Sequence, residues 1–176
     1  MGFEESFLQD IIKRFVNYKD LGEKTFAQLE EKDFFIQASP ESNSIAVIVQ
    51  HLHGNMLSRF TEFLTEDGEK TWRKRDGEFE TATTTREEVM ALWNEGWKCV
   101  LNAIKALTPQ DVTKTIYIRS EPLSVYDALL RQLAHYPYHV GQIVFIGKMV
   151  KDGNWQSLSI PKNKSAQFNN SMGHKA

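Results

Sequence analysis

A chain of 176 residues that is 41% hydrophobic has the apolar material for a substantial core and the size of one domain. With 21 Lys and Arg against 23 Asp and Glu the formal net charge is −2; the signs are interspersed, and no basic stripe or reading motif points to nucleic acid. The single cysteine, Cys99, excludes an intramolecular disulfide. No apolar run approaches the roughly 18 residues of a membrane span, and the first ten residues are acidic where a secretory signal is basic, so a soluble cytoplasmic protein is expected.

Four stretches carry helical periodicity. The first runs from about Phe3 to Glu31, with Phe7, Ile11, Phe15, Tyr18, Leu21, Phe26 and Leu29 recurring at three- and four-residue steps; Gly22 weakens its middle without ending it. Asn43 or Ser44 can cap a second helix reaching about Thr65, its apolar line being Ile45, Ile48, Leu52, Met56, Phe60 and Phe63. The charged segment from Glu66 to Thr84 reads as a long loop that lays Trp72 and Phe79 over something apolar.

Thr85-Arg86-Glu87-Glu88 is a capping-box pattern, in which hydroxyl and carboxylate each satisfy an exposed backbone N–H, and it opens a third helix that stops before Pro109. Cys99 lies among the apolar positions of this helix and is expected to be a buried, inert thiol. Thr115-Ile116-Tyr117-Ile118 has strand character and calls for a local hairpin partner. A cap at Ser124 starts a fourth helix through Leu129, Leu133, Val140, Val144 and Met149 to about Lys151, which Gly153 ends. The rest is polar; Trp155, Leu158 and Ile160 are expected to dock on the bundle and the last residues to be disordered. The expected architecture is an all-α four-helix bundle over residues 1–160 with a short β-hairpin in a loop, followed by a polar tail, 161–176.

The chemical signal lies in the histidines. His135 and His139 are four residues apart on the fourth helix, where side chains stand about 5–6 Å from one another and two imidazoles can converge on one ion. A third ligand must come from another helix, and the second offers His51 and His53. These two differ by about 200° around a helix, so only one can face the same ion. His51 shares a face with Ile48, Asn55 and Ser58, and His53 aligns with Val49, Leu57 and Phe60; periodicity favours His51 by a small margin. Asn55 and Gln142 are candidates to support a ligand through a hydrogen bond. Glu62, Glu121 and Asp127 are available as general bases but read better as solvated charges. Pro137, between the two histidines, removes a helical hydrogen bond and is expected to kink the segment.

Gln50-His51-Leu52, followed far downstream by His135-Tyr136-Pro137-Tyr138-His139-Val140-Gly141-Gln142-Ile143, resembles the DinB/YfiT-like superfamily of metalloenzyme bundles. Asn43 to Ala46, Asp67 to Arg73, the Leu92 to Leu107 helix and Ile160-Pro161-Lys162 resemble a small uncharacterised branch that includes YizA-like proteins. The resemblance implies a metal held by His51, His135 and His139, and leaves His53 and His174 outside the ligand set. Three imidazoles leave room for water or substrate on zinc, nickel, iron or manganese, and the spacing does not choose among these metals. The resemblance also implies thiol S-transfer, with a low-molecular-weight thiol and an electrophilic small molecule as partners, and a homodimer formed through a helix face. The competing readings are a non-enzymatic dimeric bundle and a metal-dependent hydrolase.

Overall fold

Caps and local hydrogen bonds set the helix ends in the computed structural model, which describes residues 2–80 and 83–173. Helix α1, Phe3–Phe26, has Glu4 and Glu5 in its first turn and Lys24 in its last, each charge opposing the helix dipole, and buries Leu8, Ile11, Phe15 and Phe26. It ends five residues before the expected Glu31. The Glu30 side chain and Asp33 cap one another's backbone N–H groups and open a separate 3-10 turn, Glu31–Phe35, so the segment bonds locally instead of extending the helix. Leu29, just before that turn, and Phe34, within it, are buried.

Helix α2, Ile45–Phe60, starts on a Ser44 cap and also stops early, short of Thr65. Ser58 Oγ and the Arg59 guanidinium both donate to the Gly68 carbonyl, which draws the following loop back over the helix end. Glu62 takes φ 49° to make that reversal. Helix α3, Arg86–Lys105, begins on the Thr85 and Glu88 capping box that its sequence announces. Helix α4, Val125–Lys151, runs as continuous α-helix through Pro137, and Ser124 caps its first turn.

Between α3 and α4, strands β1, Thr115–Ile118, and β2, Glu121–Ser124, pair antiparallel with Thr115 opposite Ser124 and Ile118 opposite Glu121. The two turn residues, Arg119 and Ser120, have φ 57° and 61°, the left-handed pair that matches strand twist in a tight hairpin. Asp67 accepts both of their backbone N–H groups at 2.8 and 2.7 Å, and Gly68 N–H donates to the Tyr117 carbonyl at 2.8 Å. The hairpin is thereby fastened to the loop that follows α2, and Arg119 is fixed beside it.

The four long helices form a mainly-α bundle in which α2 packs on α3 and α1 on α4, with α1 against α3 and α2 against α4 closing the ring. Trp93, Trp97, Tyr136, Phe15 and Phe26 fill the centre. Phe15, Trp97 and Tyr136 meet in tilted and edge-on pairs with centroids 5.9–6.3 Å apart. Gly22 has a packing role beyond its weak helix propensity: a Cβ there would lie 2.5 Å from the fully buried Trp93 indole, so α1 and α3 approach this closely only over a glycine.

The tail differs from expectation. Trp155 and Leu158 are half-buried, whereas Ile160 is exposed, and Gln28 and Gln156 exchange side chain-to-backbone hydrogen bonds that pin the segment to the end of α1. A short exposed helix, α5, Ser165–Ser171, occupies part of the stretch expected to be irregular, held by its own backbone bonds. His174 and the end of the tail lie outside the described residues. Among the described residues no helix is long and apolar enough to cross a membrane.

Candidate metal site

Helices α2 and α4 bring His51, His135 and His139 together, with one ligand atom from each within 4.8 Å of the others. His135 Nε2 lies 3.0 Å from His139 Nε2 and 3.4 Å from His51 Nε2. Ligand bonds of about 2.0–2.1 Å at tetrahedral angles require nitrogens roughly 3.3–3.4 Å apart, and a smaller angle brings them closer. Continuous helix through Pro137 keeps the i, i+4 pair aligned, so the expected kink does not separate these nitrogens.

Hydrogen bonds on the far side of two rings set their tautomers. His51 Nδ1–H donates to Glu78 Oε2 at 2.9 Å, and His139 Nδ1–H donates to Gln142 Oε1 at 2.8 Å. Each then presents the Nε2 lone pair to the cluster centre. A proton on His135 Nε2 can satisfy only one of them, whereas a cation satisfies all three. Burial and the facing His139 and His51 rings push His135 down to about 3, and burial foremost also lowers His139, so both are neutral near pH 7. Neutral convergent imidazoles are what a divalent cation requires.

Glu78 borders the cluster without being marked by the sequence. It sits on a 3-10 turn, Asp76–Phe79, inside the charged segment, and the Gln50 amide holds that turn to α2 through the carbonyls of Gly77, Glu78 and Glu80. Arg73 donates Nε to Glu78 Oε1 at 2.6 Å and a terminal nitrogen to Oε2 at 2.9 Å. Burial opposes ionisation of this carboxyl, but the His51 and Arg73 bonds prevail and hold it below its ordinary value. Gly54 makes room for the carboxylate, since a Cβ there would lie 2.3 Å from Oε1. Phe79 stacks on His51 with centroids 4.8 Å apart and 27° between planes, and the Arg75 guanidinium lies over the Phe79 ring at 5.3 Å from its centroid. Trp72, expected to lie on an apolar surface with Phe79, is instead 54% exposed.

Carboxylate-to-histidine bonds behind a metal fix ring orientation and raise ligand basicity, and their loss typically costs about 10–100-fold in metal affinity. Glu78→Gln is expected to weaken zinc binding within that range while the protein stays helical, as read by competition with a chromophoric chelator and by circular dichroism. An affinity within about twofold of wild type would show that the carboxylate does not support the ligand.

The remaining candidates fall elsewhere. His53 pairs with Glu95 at 2.9 Å on the α3 side and is not part of the cluster. Asn55 borders the histidines, but its Oδ1 accepts from the buried Tyr136 hydroxyl at 3.1 Å and not from a ligand ring. Tyr138 packs edge-on to His139 at the surface. Glu62, Glu121 and Asp127 are exposed and do not line the histidine pocket. Cys99 is half-buried, and burial raises its thiol above the ordinary value, in keeping with an inert group.

Fold and cluster together define a helical bundle with a three-histidine centre compatible with a metal ion. The chain belongs to the family described as "Protein of unknown function (DUF1572)", whose model matches residues 2–164. No curated protein matches it.

Proposed function

We propose that the chain is a divalent-metal protein of the DinB/YfiT-like type, with His51, His135 and His139 as ligands, and that it acts as a metal-dependent thiol S-transferase. The observation that carries the metal assignment is the convergence of three Nε2 atoms from two helices, two of them with tautomers set from behind by Glu78 and Gln142. The transferase assignment rests on the DinB/YfiT-like resemblance together with that cluster.

Bound there, zinc, nickel, iron or manganese would stabilise the deprotonated form of a thiol or water near neutral pH. The protein's own part is positional. Glu78 and Gln142 orient two ligand rings, Tyr136 and Asn55 lock α4 to α2 behind the cluster, and Phe79 shields one face of His51 from water. The pocket in front of the histidines, about 400 Å³, has the volume of a small-molecule site. Conjugation of a low-molecular-weight thiol to members of an electrophile panel, lost on chelation and restored by one added metal, tests the transferase reading. Ester or amide hydrolysis without thiol would favour the hydrolase reading, and metal retention without either activity the binding module.

A homodimer is part of the proposal. Tyr138, Phe145 and Met149 form an exposed apolar stripe on α4, bordering a groove with Ile36 and Ile48. A second copy packing along that stripe would also border the histidine pocket, which Tyr138 shares. Light scattering is expected to give twice 20.3 kDa, and a 20.3 kDa particle across micromolar concentrations would reject the dimer.

A further inference from the structure

The pocket in front of the histidines is walled by cations. Arg59, Arg73, Arg75, Arg119 and Arg131 all line it, drawn from α2, the following loop, the hairpin turn and α4, and among the described residues no Asp or Glu lines it with them. Among the described residues two carboxylates approach these five groups closely. Glu69 is shared by Arg59 at 3.0 Å and Arg119 at 2.9 Å, and Glu78 serves Arg73 and His51 together. Arg75 and Arg131 reach the exposed Asp76 and Glu121 only at 3.9 and 3.8 Å, separations at which solvent screening leaves little pairing.

Arg59 and Arg73 are 6% and 2% exposed at the side chain, so their charge acts through a poorly hydrated wall, whereas Arg75, Arg119 and Arg131 are half-exposed arms at the mouth. A second observation also points into the cavity. Gln132 is 3% exposed and lines the pocket, yet its buried Oε1 has no hydrogen-bond partner among the described residues. A buried amide oxygen without a donor carries a desolvation cost that a ligand hydroxyl or amide N–H relieves.

We infer that the pocket receives a small organic anion, with carboxylate or phosphate groups held by Arg75, Arg119 and Arg131 and a neutral hydrogen-bonding group beside Gln132. Planar guanidinium forks match the paired oxygens of carboxylate and phosphate, and five cations served by two close carboxylates leave positive charge that such a ligand neutralises. Resting on the proposed function, this assigns the substrate class of that site as acidic; neutral apolar electrophiles and thiols without an acidic group are poor ligands.

The test is calorimetric titration of the full chain, metal-free and zinc-loaded, with succinate, inorganic phosphate and the uncharged dimethyl succinate. Succinate or phosphate is expected to bind the metal-free protein and dimethyl succinate not. Arg119→Gln and Arg131→Gln are each expected to weaken binding about tenfold, the loss of one charge-assisted contact, while Arg14→Gln on the outer face of α1 leaves it unchanged. The proposal is overturned if neither anion binds metal-free protein up to about 10 mM, a bound that corresponds to negligible affinity. It is also overturned if the diester binds equally well, or if binding needs zinc and ignores both arginine substitutions. Protein unable to retain any metal would refute the metal reading, and anion binding by that protein would leave the cationic pocket standing.

Discussion

Alanine at His51, His135 or His139 is expected to reduce zinc affinity by more than about 100-fold, beyond the 10–100-fold range for residues that only support a ligand. Each substitution removes one of three nitrogens that lie 3.0–3.4 Å from a neighbour, and two cannot close a site. His53→Ala, which breaks only a pair with Glu95, is expected to leave affinity within about twofold. The comparison is sharp because His51 and His53 stand on the same helix, two residues apart, so any general damage to α2 strikes both. Equal losses at the two positions would remove the ligand assignment. Circular dichroism separates the cases, since His51 and His139 are held by side-chain partners while the helices are held by the aromatic core.

Acidification of the metal-free protein is expected to have the second-largest effect. His135, pushed down to about 3 by burial and its neighbouring imidazoles, and His139, lowered chiefly by burial, are harder to protonate folded than unfolded. Between an unfolded value of about 6.5 and the folded value, the unfolded chain therefore binds more protons, and stability rises with pH across that window. Stability is fully present above about pH 6.5 and is lost as pH falls toward 3. Urea midpoints at pH 7.5 and pH 5 are expected to differ in wild type and to differ less in His135→Asn, where His139 alone of the pair remains. An unchanged pH dependence in that variant would mean that His135 does not titrate as its surroundings require.

Much of the bundle was legible in sequence because its signals are local. The Thr85 and Glu88 box, the Ser44 and Ser124 caps and the three- and four-residue apolar steps each act within one or two turns. Two helix ends were not legible, one set by a carbonyl in the following loop and the other by an acidic pair that caps a separate 3-10 turn. Helix α2 stops at Phe60 because Ser58 and Arg59 capture the Gly68 carbonyl, and α1 stops at Phe26 before a reciprocal Glu30 and Asp33 cap.

The histidine cluster follows the same division. The His135 and His139 spacing is a helix-surface relation visible in the chain, while the choice between His51 and His53 was left to a small difference in periodicity and a family resemblance. Glu78 and Arg73 lie in a charged loop where nothing marks them among their neighbours; they join the cluster only because Gln50 and Gly54 on α2 receive that loop. Arg119 and Arg131 reach the pocket from the hairpin turn and α4, a convergence that no local pattern encodes.

Metal analysis of the untagged protein, purified without chelator, tests the central claim most directly. About one divalent ion per chain, retained through gel filtration and absent from His135→Ala, is the result predicted by three convergent imidazoles. Protein that retains no stoichiometric metal, and takes up none from excess zinc, nickel, iron or manganese, would contradict it.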